Sequence, residues 1–146
     1  KRQSDVREEL DLLNVYLLEE ALPRSDIEGL DIIANSVEMM MVGGEHTPTV
    51  LDFKPHLVSG AHDVQQPDIT LMGNFGITGL KEVSRVANFY RHQIIPHVTG
   101  GGNFFIMLAA TLQAMVTADN CLMVEFPYSP PILIPGTLQS ILAEPI

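Results

Sequence analysis

With 146 residues, 46% of them hydrophobic and 18% charged, the chain has the length and composition of one folded domain with a real core, which excludes a disordered segment. A net charge of −10 with scattered Lys and Arg argues against nucleic acid as a partner, because phosphates demand clustered cations. No apolar run reaches the ~18 residues needed to cross a bilayer, no secretory leader is visible, and the single cysteine, Cys121, excludes an internal disulfide and fits a reducing, cytoplasmic compartment.

The first element is the end of an amphipathic helix over 5–13, followed by a buried strand at 15–19, VYLLE. Ser25 and Glu28 have capping-box spacing, and Ile27, Leu30, Ile33 and Val37 recur at helical intervals, which predicts a helix over 27–37. MMMVGG (39–44) reads as the next strand. TVLDFKPHLVSG (49–60) is helical in pattern, with Pro55 expected to shorten or kink it. DVQQPD (63–68) is a short strand stopped by Pro67, and Leu80, Val83, Val86 and Tyr90 line one side of a helix over 79–91. QIIPH (93–97) is a strand; Gly100, Gly101 and Gly102 make a loop into a helix over 103–118. CLMVEF (121–126) is the last strand, and the proline-rich tail is loop.

Strand and helix therefore alternate, and the continuous apolar strands imply an α/β fold whose parallel sheet has both faces covered. A barrel and an open doubly wound sheet both satisfy this pattern. Five successive strands end in Glu19, Glu45, Asp68, His97 and Glu125. In parallel α/β folds those ends share one rim, where active sites form. Glu19 and Glu45 lie 26 residues apart and Glu45 and Asp68 lie 23 apart, each gap about one strand-plus-helix unit, so all five side chains can face one bowl. Carboxylates gathered there repel one another, and a hard cation such as Mg²⁺, which takes oxygen ligands and keeps waters, resolves the repulsion. An Asp68–His97 pair would fix the imidazole tautomer and raise the basicity of its far nitrogen.

LLEEALP, GGEH, QQPD followed by GITGL, and IIPH, in this order over roughly residues 10–127, resemble the enolase superfamily in its mandelate racemase and muconate-lactonizing branch. The resemblance implies the C-terminal portion of a (β/α)₇β barrel, with residues 1–146 forming a partial barrel domain, and one Mg²⁺. It implies abstraction of a proton next to the carboxylate of a small acid. Carried over position by position, Glu19 and Glu45 are metal ligands, His97 is the acid/base residue with Asp68 its partner, and Glu125 hydrogen-bonds the substrate carboxylate side. Glu20 stands behind the ligand, and His46 is a substrate contact. The resemblance is nearest to acid-sugar dehydratases, which are carbon–oxygen lyases; racemases, epimerases and cycloisomerases are the nearest alternatives. Homo-oligomers are expected on the same ground.

The pattern also departs from the family. Ala21 stands where a proline usually follows Glu-Glu, and GNFGIT is two residues longer than the family's turn after Asp68. The Lys-x-Lys base, a third metal carboxylate and the capping domain are not in the sequence, and a complete barrel takes about 250 residues. Arg24, Lys54 and Lys81 read as surface residues, and His56, His62 and His92 as exposed or structural. Two other classes stay open: a catalytically inert half-barrel that serves assembly, and a flavodoxin-like binding domain whose acidic rim is coincidental.

Overall fold

The computed structural model describes residues 9–10, 12–71, 76–98 and 104–128. Most of the helix expected over 5–13, the triple-glycine loop and the tail beyond 128 lie outside them. The elements in chain order are β1 (Leu17–Glu19), α1 (Ile27–Ala34), β2 (Met40–Gly43), a 3₁₀ turn (Val50–Phe53), α2 (Lys54–Ser59), β3 (Val64–Gln65), α3 (Gly76–Phe89), β4 (Gln93–Ile94) and α4 (Phe104–Met115).

Local chemistry sets most of these bounds. α1 is capped by Asp26, whose carboxylate accepts the Gly29 N–H at 3.0 Å, and not by Ser25 as the capping-box spacing predicts. It stops at Ala34 because Asn35 and Ser36 turn their side chains back onto the carbonyls of Asp31 and Ile33. The expected helix over 49–60 splits at Pro55. The 3₁₀ turn precedes it, and α2 begins where a missing N–H costs nothing. α3 buries Leu80, Val83 and Ala87, whereas Tyr90 lies beyond the helix end and is exposed.

The four strands form one parallel sheet in the order β1-β2-β3-β4. The pairs are Leu17–Met40, Leu18–Met41 and Glu19–Val42, then Val42–Val64 and Gly43–Gln65, then Val64–Gln93 and Gln65–Ile94. The fifth expected strand, 121–126, runs parallel beside β4 through a single bridge, Ile94–Cys121, instead of a ladder. Paired residues of a parallel register share a face. Leu18, Met41 and Ile94 therefore point to the helices, where Leu30 of α1, Leu80 and Val83 of α3 and Leu108 of α4 cover them. Leu17, Met40, Val42, Val64 and Ile95 form a separate apolar cluster on the opposite face, to which none of these helices contributes a side chain. Among the described residues the named helices cover one face and the strands run in strict sequence order, which is the architecture of a barrel wall. A doubly wound sheet reverses its order and covers both faces.

Asn120 ties this wall together. Its side-chain amide donates to the carbonyls of Ser84 at 3.1 Å and His92 at 3.0 Å and accepts the Ser84 hydroxyl at 2.8 Å.

Candidate active site at the strand ends

Backbone pairing continues past the named strands and carries the polar residues to a common rim. The Gln66 N–H bonds the Gly43 carbonyl at 2.8 Å, and Ile95 bonds Gln65 at 3.0 Å. His97 bonds Pro67 at 3.2 Å, and Glu125 bonds Pro96 at 3.4 Å. Asp68 and His97 form an isolated parallel bridge beyond β3 and β4. β2 ends at Gly43, and Gly44 turns the chain with φ 112°, where a Cβ would press within 2.8 Å of the Phe53 ring. Glu45 and His46 follow immediately. The carboxylate thus ends an apolar strand because the turn aims it along the rim and not outward.

His97 is the hub. Its Nδ1 lies 2.8 Å from Asp68 Oδ2, and its Nε2 lies 3.0 Å from Glu45 Oε2 and 4.0 Å from Glu125 Oε2. Glu45 Oε1 meets His46 Nε2 at 2.9 Å, although His46 is largely exposed. Asp68 is fully buried, and its Oδ1 accepts the Thr70 N–H, the Thr70 hydroxyl and the Leu71 N–H at 2.5, 2.9 and 2.8 Å. Burial pushes the Asp68 carboxyl up, but the bonds from His97, Thr70 and Leu71 outweigh it and hold the group below its ordinary value. An ionised Asp68 only accepts, so Nδ1 carries a proton and Nε2 is the nitrogen that titrates. Burial alone would depress His97. The bond to Asp68 and the charges of Glu45 and Glu125 lift it above the usual imidazole value instead.

Glu125 is held by two donors, Gln66 Nε2 at 2.9 Å and the Val98 N–H at 3.1 Å. Burial pushes its carboxyl up, and the charges of Glu19 and Glu45 push the same way, against the Val98 bond and His97. The Glu19 and Glu45 carboxylates therefore each act on Glu125. Glu19, at the end of β1, is exposed and borders a cleft of ≈ 460 Å³ whose walls include Leu17, Gln66, Ile95, Val98 and Glu125. Gln66 takes part in this arrangement without having been singled out from the sequence. Alternation along QQPD places Gln66 on the face of Asp68, which is the signal that finds it. His56 and His62 are both buried and stack face to face behind the rim, with centroids 4.9 Å apart, and so are structural.

Crowded carboxylates and oxygen-only donors fit a hard divalent cation, with Glu19 and Glu45 each able to give one carboxylate. Among the described residues no three His, Cys, Asp or Glu side chains close on one point. The rest of an octahedron would thus fall to water, substrate or groups outside these residues.

A family model described as Enolase C-terminal domain-like matches residues 2–145. The L-rhamnonate dehydratase of Saccharopolyspora erythraea is 35% identical over 82 residues, 55% of this chain and 20% of that protein. A mandelate racemase/muconate lactonizing enzyme from Sulfitobacter sp. superposes with a TM-score of 0.76 at 27% identity, over 86% of this chain and 31% of that one. The 3,6-anhydro-D-galactonate cycloisomerase of Zobellia galactanivorans shares the fold, with a TM-score of 0.77 at 21% identity over 86% of this chain and 34% of that one. The chain thus spans about a fifth to a third of the length of the proteins it resembles.

Proposed function

Because the chain belongs to the enolase C-terminal domain-like family, we propose that its strand-end cluster transfers protons next to the carboxylate of a small acid, in the dehydration of a sugar acid. The observation that carries this reading is the Asp68–His97 pair at 2.8 Å, with the imidazole Nε2 3.0 Å from Glu45. A proton alpha to a carboxylate is very weakly acidic, and its removal places a second negative charge on the carboxylate oxygens. A Mg²⁺ ion held by Glu19 and Glu45 would supply positive charge against those oxygens. Glu125, held in place by the Gln66 and Val98 N–H donors, hydrogen-bonds the substrate on its carboxylate side. His97 in its neutral form takes the α-proton at Nε2, becomes an imidazolium that the Asp68 charge stabilises, and gives that proton to the departing β-hydroxyl. The C–O bond breaks, water leaves, and the enol that remains tautomerises to a 2-keto-3-deoxy acid. His46, on the rim beside Glu45, contacts the hydroxyl chain.

A sugar acid is supported by the L-rhamnonate dehydratase relative, 35% identical over 82 residues. Incubation of the protein with Mg²⁺ and a panel of aldonic and aldaric acids tests it. A 2-keto-3-deoxy product from at least one acid, lost in His97→Asn, is the expected result. Inversion of configuration without loss of water would replace dehydration by racemisation, and no turnover of any acid would overturn the reading.

A further inference from the structure

The residue after β1 behaves unlike a loop residue. Glu20 is half-buried and holds φ at 44°, a left-handed conformation that a non-glycine side chain enters at a cost. From there its N–H bonds the Val42 carbonyl at 3.1 Å, while its carboxylate Oε1 accepts the Gly44 N–H at 2.7 Å. One residue thus grips β2 on both sides of Gly43. The grip leaves no slack, because a Cβ at Gly43 would lie 2.8 Å from Glu20 Oε1 and 2.8 Å from the His62 ring.

The position of the gripped turn gives the contact its consequence. Gly44 is the residue that redirects the chain, and the next side chain, Glu45, reaches His97 at 3.0 Å. Water could satisfy the Gly44 N–H, but water would leave the turn free to rotate. A charge-assisted bond from the neighbouring strand does not. The Glu20 charge also acts on the buried His56, opposing the burial that lowers that imidazole.

We propose that Glu20 is a positioning residue: its bond to the Gly44 N–H fixes the turn that presents Glu45 to His97. It touches no reacting atom, and its importance rests on the reading of Glu45 as a working carboxylate.

The test compares Glu20→Ala, Glu20→Gln and Gly43→Ala in the full-length protein, by hydrogen exchange at the Gly44 amide, the NMR signals of the His97 ring and Mg²⁺ titration. Loss of a bond to a charged acceptor predicts, for Glu20→Ala, Gly44 exchange about 10-fold faster and Mg²⁺ binding about 10-fold weaker. The His97 ring signals should shift as well. Glu20→Gln keeps a carbonyl acceptor and should restore all three readouts to within about threefold. Gly43→Ala displaces the Glu20 carboxylate without removing it and should reproduce the Glu20→Ala defect, which keeps the test open if Glu20→Ala does not fold. Unchanged Gly44 exchange and His97 signals in Glu20→Ala would overturn the proposal, as would failure of Gln to rescue them. A wild-type protein that binds no Mg²⁺ would count against the cation reading alone, because the Gly44 and His97 measurements still judge Glu20.

Discussion

Acidification should unfold this protein through a histidine outside the Asp68–His97–Glu45 cluster. His62 is 1% exposed, stacks on the His56 ring with an interplanar angle of 2°, and has no hydrogen-bond partner for its Nδ1 among the described residues. Burial, and then the neighbouring His56 and His92, push its pKa down from 6.5 to about 4. The folded state therefore holds His62 neutral, while the unfolded chain protonates it at the ordinary value. A depressed histidine contributes stability that is fully present above the unfolded pKa and is lost as the pH falls toward the folded one. The loss should fall between pH 6.5 and about 4. A shift of this size at 1.36 kcal/mol per unit costs about 3 kcal/mol in full and about 2.5 kcal/mol by pH 4.5. Urea unfolding of wild type and His62→Gln at pH 7.5 and pH 4.5 measures it. The variant should be the less stable protein at the higher pH, having lost the stacked ring, but should lose about 2 to 3 kcal/mol less than wild type on acidification. Parallel losses in the two proteins would refute the assignment of the acid sensitivity to His62.

Three further outcomes follow from the geometry. Asp68→Asn keeps the shape but presents an amide donor to Nδ1, which reverses the imidazole tautomer and removes the charge that raises the proton affinity of His97. Turnover of the dehydrated acid should fall about 100-fold or more, with the pH profile displaced downward, and a loss under threefold would count against the dyad. Gly44→Ala forces a side chain into a positive φ and against Phe53, so unfolding experiments should show a loss of about 1 to 3 kcal/mol, together with a weaker Glu45–His97 contact by NMR. Asn120→Ala strands the Ser84 and His92 carbonyls and should cost about 2 to 4 kcal/mol in a urea titration, with no effect on KM.

Much of this site was legible because its elements are periodic. Apolar runs bounded by Gly, Pro and charge place four strands and the helices between them, and the resemblance places the candidate residues on the strand ends. The misses share a cause, which is competition between neighbours that a one-dimensional pattern does not resolve. Ser25 and Asp26 both suit a helix cap, and the backbone chose Asp26. CLMVEF has the composition of a strand, yet it makes one bridge to Ile94 where a ladder was expected. The insertion in GNFGIT left the Asp68–His97 distance open, and tertiary pairing at the bridge closes it to 2.8 Å.

What the sequence determined by itself is the class of the fold, the identity of the polar residues and the order in which they reach the rim. These depend on side-chain period and local punctuation, which each segment carries alone. The tertiary structure decided which face the helices cover, that Glu20 braces Gly44, that Gln66 and Val98 clamp Glu125, and that Asn120 joins α3 to the start of the last segment. Those contacts depend on register between strands, and a shift of one residue would turn every such side chain to the other face of the sheet.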